Sequence, residues 1–229
     1  MTTPHPRRSR LRLPATGLAA LVLVITGTRI THASPVDDGC RTAPAAEVFA
    51  TDNTSVVTDP DDPRLRTRLT RFDHEVRAII RAHGARPAAS TLLDGVFWSG
   101  ELKRATYERS REFDVERIGR DGLHHVAGVI AEQYGQEAVL TFRCLPRTSP
   151  ETDAVEIEVP GVRVGGLREA LVADPEARER LGGGSVTLDG TLVLVAPVAD
   201  LSLARGFTAS LGADWGEARV RYGDREFVG

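Results

Sequence analysis

Two stretches of this chain close in the same way, and no other feature narrows the choice of folds as far. Residues 135–144, GQEAVLTFRC, end a succession of strand, helix, strand, strand, helix and strand; residues 216–222, GEARVRY, end a second succession in the same order. The elements are read from hydrophobic period, 3.6 for helices and 2 for strands.

In the first half, a strand falls within residues 47–57. Asp59-Pro60 and Asp62-Pro63 each offer an N-cap followed by proline at the first helical position, and Leu65, Leu69, Phe72, Val76, Ile79 and Ile80 recur at helical spacing up to Gly84. Residues 90–98 and 105–115 read as a hairpin. Asp121 caps a second helix with Leu123, Val126, Ala127, Ile130 and Tyr134 on one stripe, and residues 137–144 are the fourth strand. In the second half, residues 155–159 are a strand and residues 167–181 are helical with a restart at Asp174-Pro175. Residues 185–189 and 191–198 form a hairpin across Asp189-Gly190, and Asp200 caps a helix before a last strand at 218–222.

This order predicts an α+β protein of two tandem ferredoxin-like βαββαβ units, residues 47–146 and 154–229, joined by a linker at 147–153. Right-handed crossovers place both helices of a unit on one face of its sheet. The other face needs cover, because Leu192-Val193-Leu194-Val195 and Ala138-Val139-Leu140 are apolar at successive positions. The two sheets are expected to pack together or share an edge, as in a dimeric α/β-barrel contained in one chain.

Residues 1–33 have a different character. Arg7, Arg8, Arg10 and Arg12 precede an apolar run at residues 18–25 and then Thr31-His32-Ala33, the pattern of a secretory signal peptide cleaved after Ala33. A retained membrane anchor is the competing reading, but the run is far shorter than the roughly 20 residues a spanning helix needs. Residues 34–46 are expected to be a loose segment, and the protein is expected to be secreted.

Removing the leader takes five arginines and no acid from the 29 basic and 32 acidic residues, leaving a net charge of −8. That charge gives no electrostatic basis for binding nucleic acid, or for membrane contact beyond the leader itself. Cys40 and Cys144, the two cysteines, are expected to form a disulfide in an oxidising compartment.

Tyr107, Arg109 and Arg111 share one face of a strand with Phe113. Buried guanidinium groups need partners. The three residues therefore mark either a structural ion-pair network, with Glu101 or Glu137 as partner, or a site for a small acidic ligand. Packing of the two helices could bring two of His74, His83, His124 and His125 together as metal ligands, but they show neither HExxH nor i, i+4 spacing, so they read as solvated, and no metal or cofactor is predicted. The run Gly182-Gly183-Gly184-Ser185 leads from helix into strand, the reverse of a phosphate loop, and reads as a flexible connection. Glu108, Glu112 and Asp114 with Ser110, and Glu156 and Glu158 between Val155, Ile157 and Val159, could pair carboxylates for acid–base work, but their alternation with apolar residues reads as solvated strand faces.

The strand Tyr107-Glu108-Arg109-Ser110, followed after a helix by Tyr134-Gly135-Gln136-Glu137-Ala138-Val139-Leu140, resembles a family of uncharacterised secreted bacterial proteins of actinobacterial type. The likeness spans about residues 105–142. It implies a ferredoxin-like α+β unit and secretion, and carries no activity.

GxSxG, P-loop, cysteine-protease and dinucleotide signatures are missing. The expectation is a non-catalytic secreted protein that binds a small ligand or another secreted protein. The alternatives are a small-molecule enzyme of the dimeric α/β-barrel kind, performing cofactor-independent oxygenation or isomerisation or haem chemistry, and an extracellular protease inhibitor.

Overall fold

The computed structural model describes residue 40 and residues 45–229. The proposed signal peptide, and all of the loose segment but its last two residues and Cys40, lie outside the described residues. The described residues form eight strands: β1 (Ala46–Ala50), β2 (Arg86–Ser99), β3 (Arg104–Glu116), β4 (Val139–Cys144), β5 (Ala154–Val159), β6 (Gly183–Thr187), β7 (Leu192–Pro197) and β8 (Arg219–Val228). Between them run α1 (Thr70–Ala82), α2 (Arg120–Tyr134), α3 (Val164–Ala173), α4 (Pro175–Arg180) and α5 (Leu201–Ser210). No helix among the described residues is long and apolar enough to cross a membrane.

Local chemistry sets the helix ends. Asp174 caps α4 by accepting from the Ala177 amide at 3.0 Å, with Pro175 at the first helical position. Gly135 ends α2 in the left-handed region at φ 61°, where a residue with a Cβ is strained. Asp62 caps only a short 3-10 turn, Pro63–Arg66, and α1 begins later, at Thr70.

The expectation of two tandem ferredoxin-like units does not hold. All eight strands form one closed antiparallel barrel in the order β1-β3-β2-β6-β7-β5-β8-β4, with β4 returning to β1. Neither half has a sheet of its own. β2 continues into β6 through Leu93↔Thr187 to Phe97↔Gly183, and β4 continues into β8 through Val139↔Val228 to Cys144↔Gly223. The physical reason is that two separate sheets would leave the outer edges of β2, β4, β6 and β8 with unpaired N–H and C=O groups, and closure removes every edge.

Closure gives the strands an inside and an outside. Ala46, Val48 and Ala50 of β1 and Phe113 and Val115 of β3 face outward and pack against Phe72, Val76 and Ile80 of α1 and Leu123, Val126 and Ile130 of α2. The Phe72 and Phe113 rings meet edge-on at 5.7 Å, a contact worth about 1 kcal/mol beyond its buried area. On the other half, Val155, Ile157 and Val159 of β5 and Leu192 and Leu194 of β7 pack against Leu167 and Leu171 of α3 and Phe207 of α5. Residues that alternate with these point into the barrel.

Candidate functional site in the barrel interior

The interior receives residues whose alternation with apolar neighbours suggests a wet surface. Glu47 is 1% exposed, Glu156 is 1% exposed and Glu112 is 8% exposed. The expectation that the Glu156 and Glu112 faces are solvated is thus corrected: these strands turn their apolar side to the helices and their acidic side inward. Arg221 of β8, 2% exposed, is what makes that possible. Its guanidinium pairs with Glu47 and Glu156 and lies 3.8 Å from Glu158.

One guanidinium cannot balance all these carboxylates. Burial pushes Glu47 up to about 7 against the pull of Arg221. It pushes Glu112 up to about 8, with the Glu47 charge adding to the rise, and holds Glu156 well above the ordinary carboxylate range. Asp114 is raised as well, first by burial. Burial would lower Arg221, but the charges of Glu156 and Glu47 outweigh it and hold the guanidinium charged. The group titrates as a cluster in which protons are shared. Glu47, Glu112 and Asp114 bring carboxylate oxygens within 4.8 Å of one another, a spacing that would suit a metal ion; Arg221 already supplies positive charge there.

Beside this cluster the barrel is hollow. A cavity of about 320 Å³ is lined by apolar residues, among them Phe49, Phe97, Leu140, Val193 and Val195, and by Glu108, Ser110, Ser185 and Arg225. Phe227, 63% exposed, stands at its rim. Its room comes from glycine. Gly95 of β2 and Gly183 of β6 belong to the wall, and neither adds a side chain to the space. The run Gly182-Gly183-Gly184-Ser185 is therefore not a flexible connection: its last three residues are the start of β6, in register with Phe97, Val96 and Gly95 of β2 respectively.

Glu108 differs from the other inward carboxyls. Burial alone raises it, to about 7, with no neighbouring charge contributing. Its carboxyl makes no hydrogen bond or ion pair among the described residues, and it is half-buried in the cavity lining. In this site a carboxyl can exchange a proton near neutral pH or hold a polar group of a bound molecule.

Tyr107, Arg109 and Arg111 lie elsewhere. They are on the outward face of β3, and none lines the cavity. Arg109 pairs with Asp94 at 2.8 Å and donates to the Leu65 carbonyl at 2.7 Å. Arg111 pairs with Asp73 at 3.1 Å and donates to Ser90 Oγ at 2.7 Å. Tyr107 is 7% exposed, beneath a bridge from Val57. Their acidic partners are Asp94 and Asp73 rather than Glu101 or Glu137. Cys40 and Cys144 are joined as a disulfide, with Cα atoms 5.6 Å apart.

Among the histidines, His83 and His125 bring their rings to 4.7 Å, and His124 Nδ1 lies 3.0 Å from Glu226. His83 Nδ1 is engaged by the Ile79 carbonyl at 2.8 Å. His124 and His125 also border a groove on the barrel's outside, against α2 and the C-terminal Gly229. The barrel cavity is the more recessed of the two and carries the raised Glu108 carboxyl at its wall, which makes it the stronger site.

The missed residues are Glu108, Ser110, Ser185, Arg225 and Arg221. One signal could have found them: two acidic strand faces in a chain whose last strand carries Arg219, Arg221 and Arg225 at alternate positions. Complementary charge on strands of one sheet points to a shared interior.

No family model matches the sequence, and no curated protein matches it. Among solved structures, the chain is similar to a "putative monooxygenase from Lactobacillus acidophilus NCFM", at 11% identity and a TM-score of 0.26, over 81% of this chain and 96% of that one. At that score the likeness carries no argument about this chain.

Proposed function

We propose that the barrel is a binding chamber for one small, largely apolar molecule and that the protein works outside the cell. The observation that carries the chamber is the cavity itself: about 320 Å³ of space that opens to the surface beside Phe227, with apolar side chains and a cluster of polar groups sharing its lining. Such a volume is at the lower end of the range for small-molecule sites. The Cys40–Cys144 disulfide and the basic and apolar character of residues 1–33 support the extracellular setting.

Propylbenzene is a suitable probe because it needs only apolar space. Wild-type protein is expected to bind it, as read by ligand-detected NMR, and Val193→Trp, which fills the cavity, is expected to bind it at least tenfold more weakly. Equal binding by both would overturn the chamber.

A second reading is favoured by one observation. Glu108, raised to about 7, is poised for general acid–base work at neutral pH, so the same chamber suits a small-molecule enzyme acting by proton transfer. Turnover that follows the ionisation of a group near pH 7 and disappears in Glu108→Gln would establish it.

A further inference from the structure

The wall of the cavity contains a notch. Three adjacent strands place Glu108, Gly95 and Ser185 in one row: Gly95 pairs with Glu108 across β2–β3 and with Ser185 across β2–β6. All three line the cavity. The outer members are separated by two strand spacings, roughly 10 Å, and the middle member has no side chain. A Cβ built on Gly95 would lie 3.3 Å from Ser185 Oγ and 3.6 Å from Glu108 Cβ. The space over Gly95 is thus flanked by a hydroxyl on one side and a carboxyl on the other.

Both flanking groups are unengaged. Neither Ser185 Oγ nor the Glu108 carboxyl has a hydrogen-bond partner among the described residues. This sets Glu108 apart from Glu47 and Glu156, which are tied to Arg221. Both residues are half-buried, so each can reach a molecule in the cavity. Gly95 itself does not have a positive φ, so its backbone conformation is open to any residue. Conformation therefore gives no reason for glycine there, and space does.

We infer that the notch over Gly95 is the head-group subsite of the chamber, built for a neutral hydroxyl that accepts from Ser185 Oγ and donates to the Glu108 carboxylate, while the ligand's apolar body lies against Phe97, Leu140 and Val193. This rests on the chamber proposed above. A hydroxyl both donates and accepts, so a single group can engage the Ser185 proton and the Glu108 carboxylate at once. A protonated amine only donates and leaves Ser185 without an acceptor.

The test compares 4-propylphenol, propylbenzene and 3-phenylpropylamine at pH 8, where Glu108 is a carboxylate, on the wild type and on Gly95→Ala, Ser185→Ala and Glu108→Gln. Wild type is expected to prefer the phenol over propylbenzene by at least tenfold. Gly95→Ala is expected to erase that preference while still binding propylbenzene, because the added methyl group crowds Ser185 Oγ at 3.3 Å and takes the place of the ligand hydroxyl. Ser185→Ala and Glu108→Gln should each reduce the preference severalfold, and they carry the test if Gly95→Ala does not fold. Propylbenzene binding with no gain for the phenol overturns the notch and leaves the chamber standing. Tightest binding of the amine overturns the hydroxyl assignment. Binding of none of the three overturns chamber and notch together.

Discussion

Glu108 shows how one residue can couple the cavity to the stability of the fold. In the native protein burial holds its proton up to about pH 7, whereas in the unfolded chain the carboxyl ionises near its ordinary value of 4.5. Between those values the native state binds more protons than the unfolded state, so rising pH favours unfolding. The contribution is fully present below pH 4.5 and is lost as pH rises through 7. Each pH unit in that window is worth about 1.4 kcal/mol, which sums to about 3 kcal/mol for Glu108. Glu108→Gln has no proton to lose. It is expected to be more stable than wild type at pH 8 by up to about 3 kcal/mol, with the difference shrinking toward pH 5. Denaturant unfolding at pH 5, 6, 7 and 8 checks this, and a difference that does not grow with pH would refute it. Glu47 and Glu112 slope the same way, so the variant keeps part of the pH dependence.

At the scale of elements, the barrel depends on two seams where distant segments meet, β2 with β6 and β4 with β8. Gly183 is set into the first. A Cβ there would lie 2.6 Å from the Val96 carbonyl oxygen, a backbone atom that cannot move without the strand moving. Gly183→Ala is expected to cost about 1–3 kcal/mol, through forced overpacking. Amide exchange should quicken in β2 and β6 and stay unchanged in β4 and β8. Gly184→Ala is the control: its Cβ would meet Leu192 and Leu194 at an ordinary 3.5 Å, and its stability should match wild type. Equal effects of the two variants would rule out the seam account.

The elements themselves were legible from sequence because they rest on local chemistry: the apolar stripe of α1, the Asp174-Pro175 restart and the Asp189-Gly190 turn, where Gly190 has φ 88°. The closure was not, because the pairing of Gly95 with Ser185 joins residues whose separation no periodicity records. The site was hidden by a sign ambiguity. Alternation tells which residues share a face, as it did for Glu156 and Glu158, but not whether that face meets water or the inside of a barrel. In most strands the charged face is the wet one; here Arg221 makes the reverse affordable. Tyr107, Arg109 and Arg111 illustrate the same ambiguity: their shared face was correctly grouped, and it lies outside the cavity.

For the whole molecule, the disulfide is both a staple and part of the interior. Cys40, Phe49 and Val195 pack on Phe142, Cys144 and Ala154, and Phe49 and Val195 also line the cavity. The bond therefore ties the approach to β1 into the same packing that shapes the chamber. Its two cysteines are 104 residues apart, and a cross-link closing a loop of that length removes unfolded-state entropy worth about 5 kcal/mol. A barrel whose seams join distant segments has loop-closure entropy to overcome, and a long covalent loop relieves part of it. Replacing both cysteines by alanine is expected to lower unfolding free energy by about 4–5 kcal/mol in denaturant titrations. Propylbenzene affinity should fall as well, because Phe49 and Val195 lose part of the surface they pack against. Reduction of the wild type should reproduce both changes. If stability falls while affinity holds, the bond is a staple alone and the chamber wall stands without it; if stability changes by less than about 1 kcal/mol, the unfolded-state account is wrong.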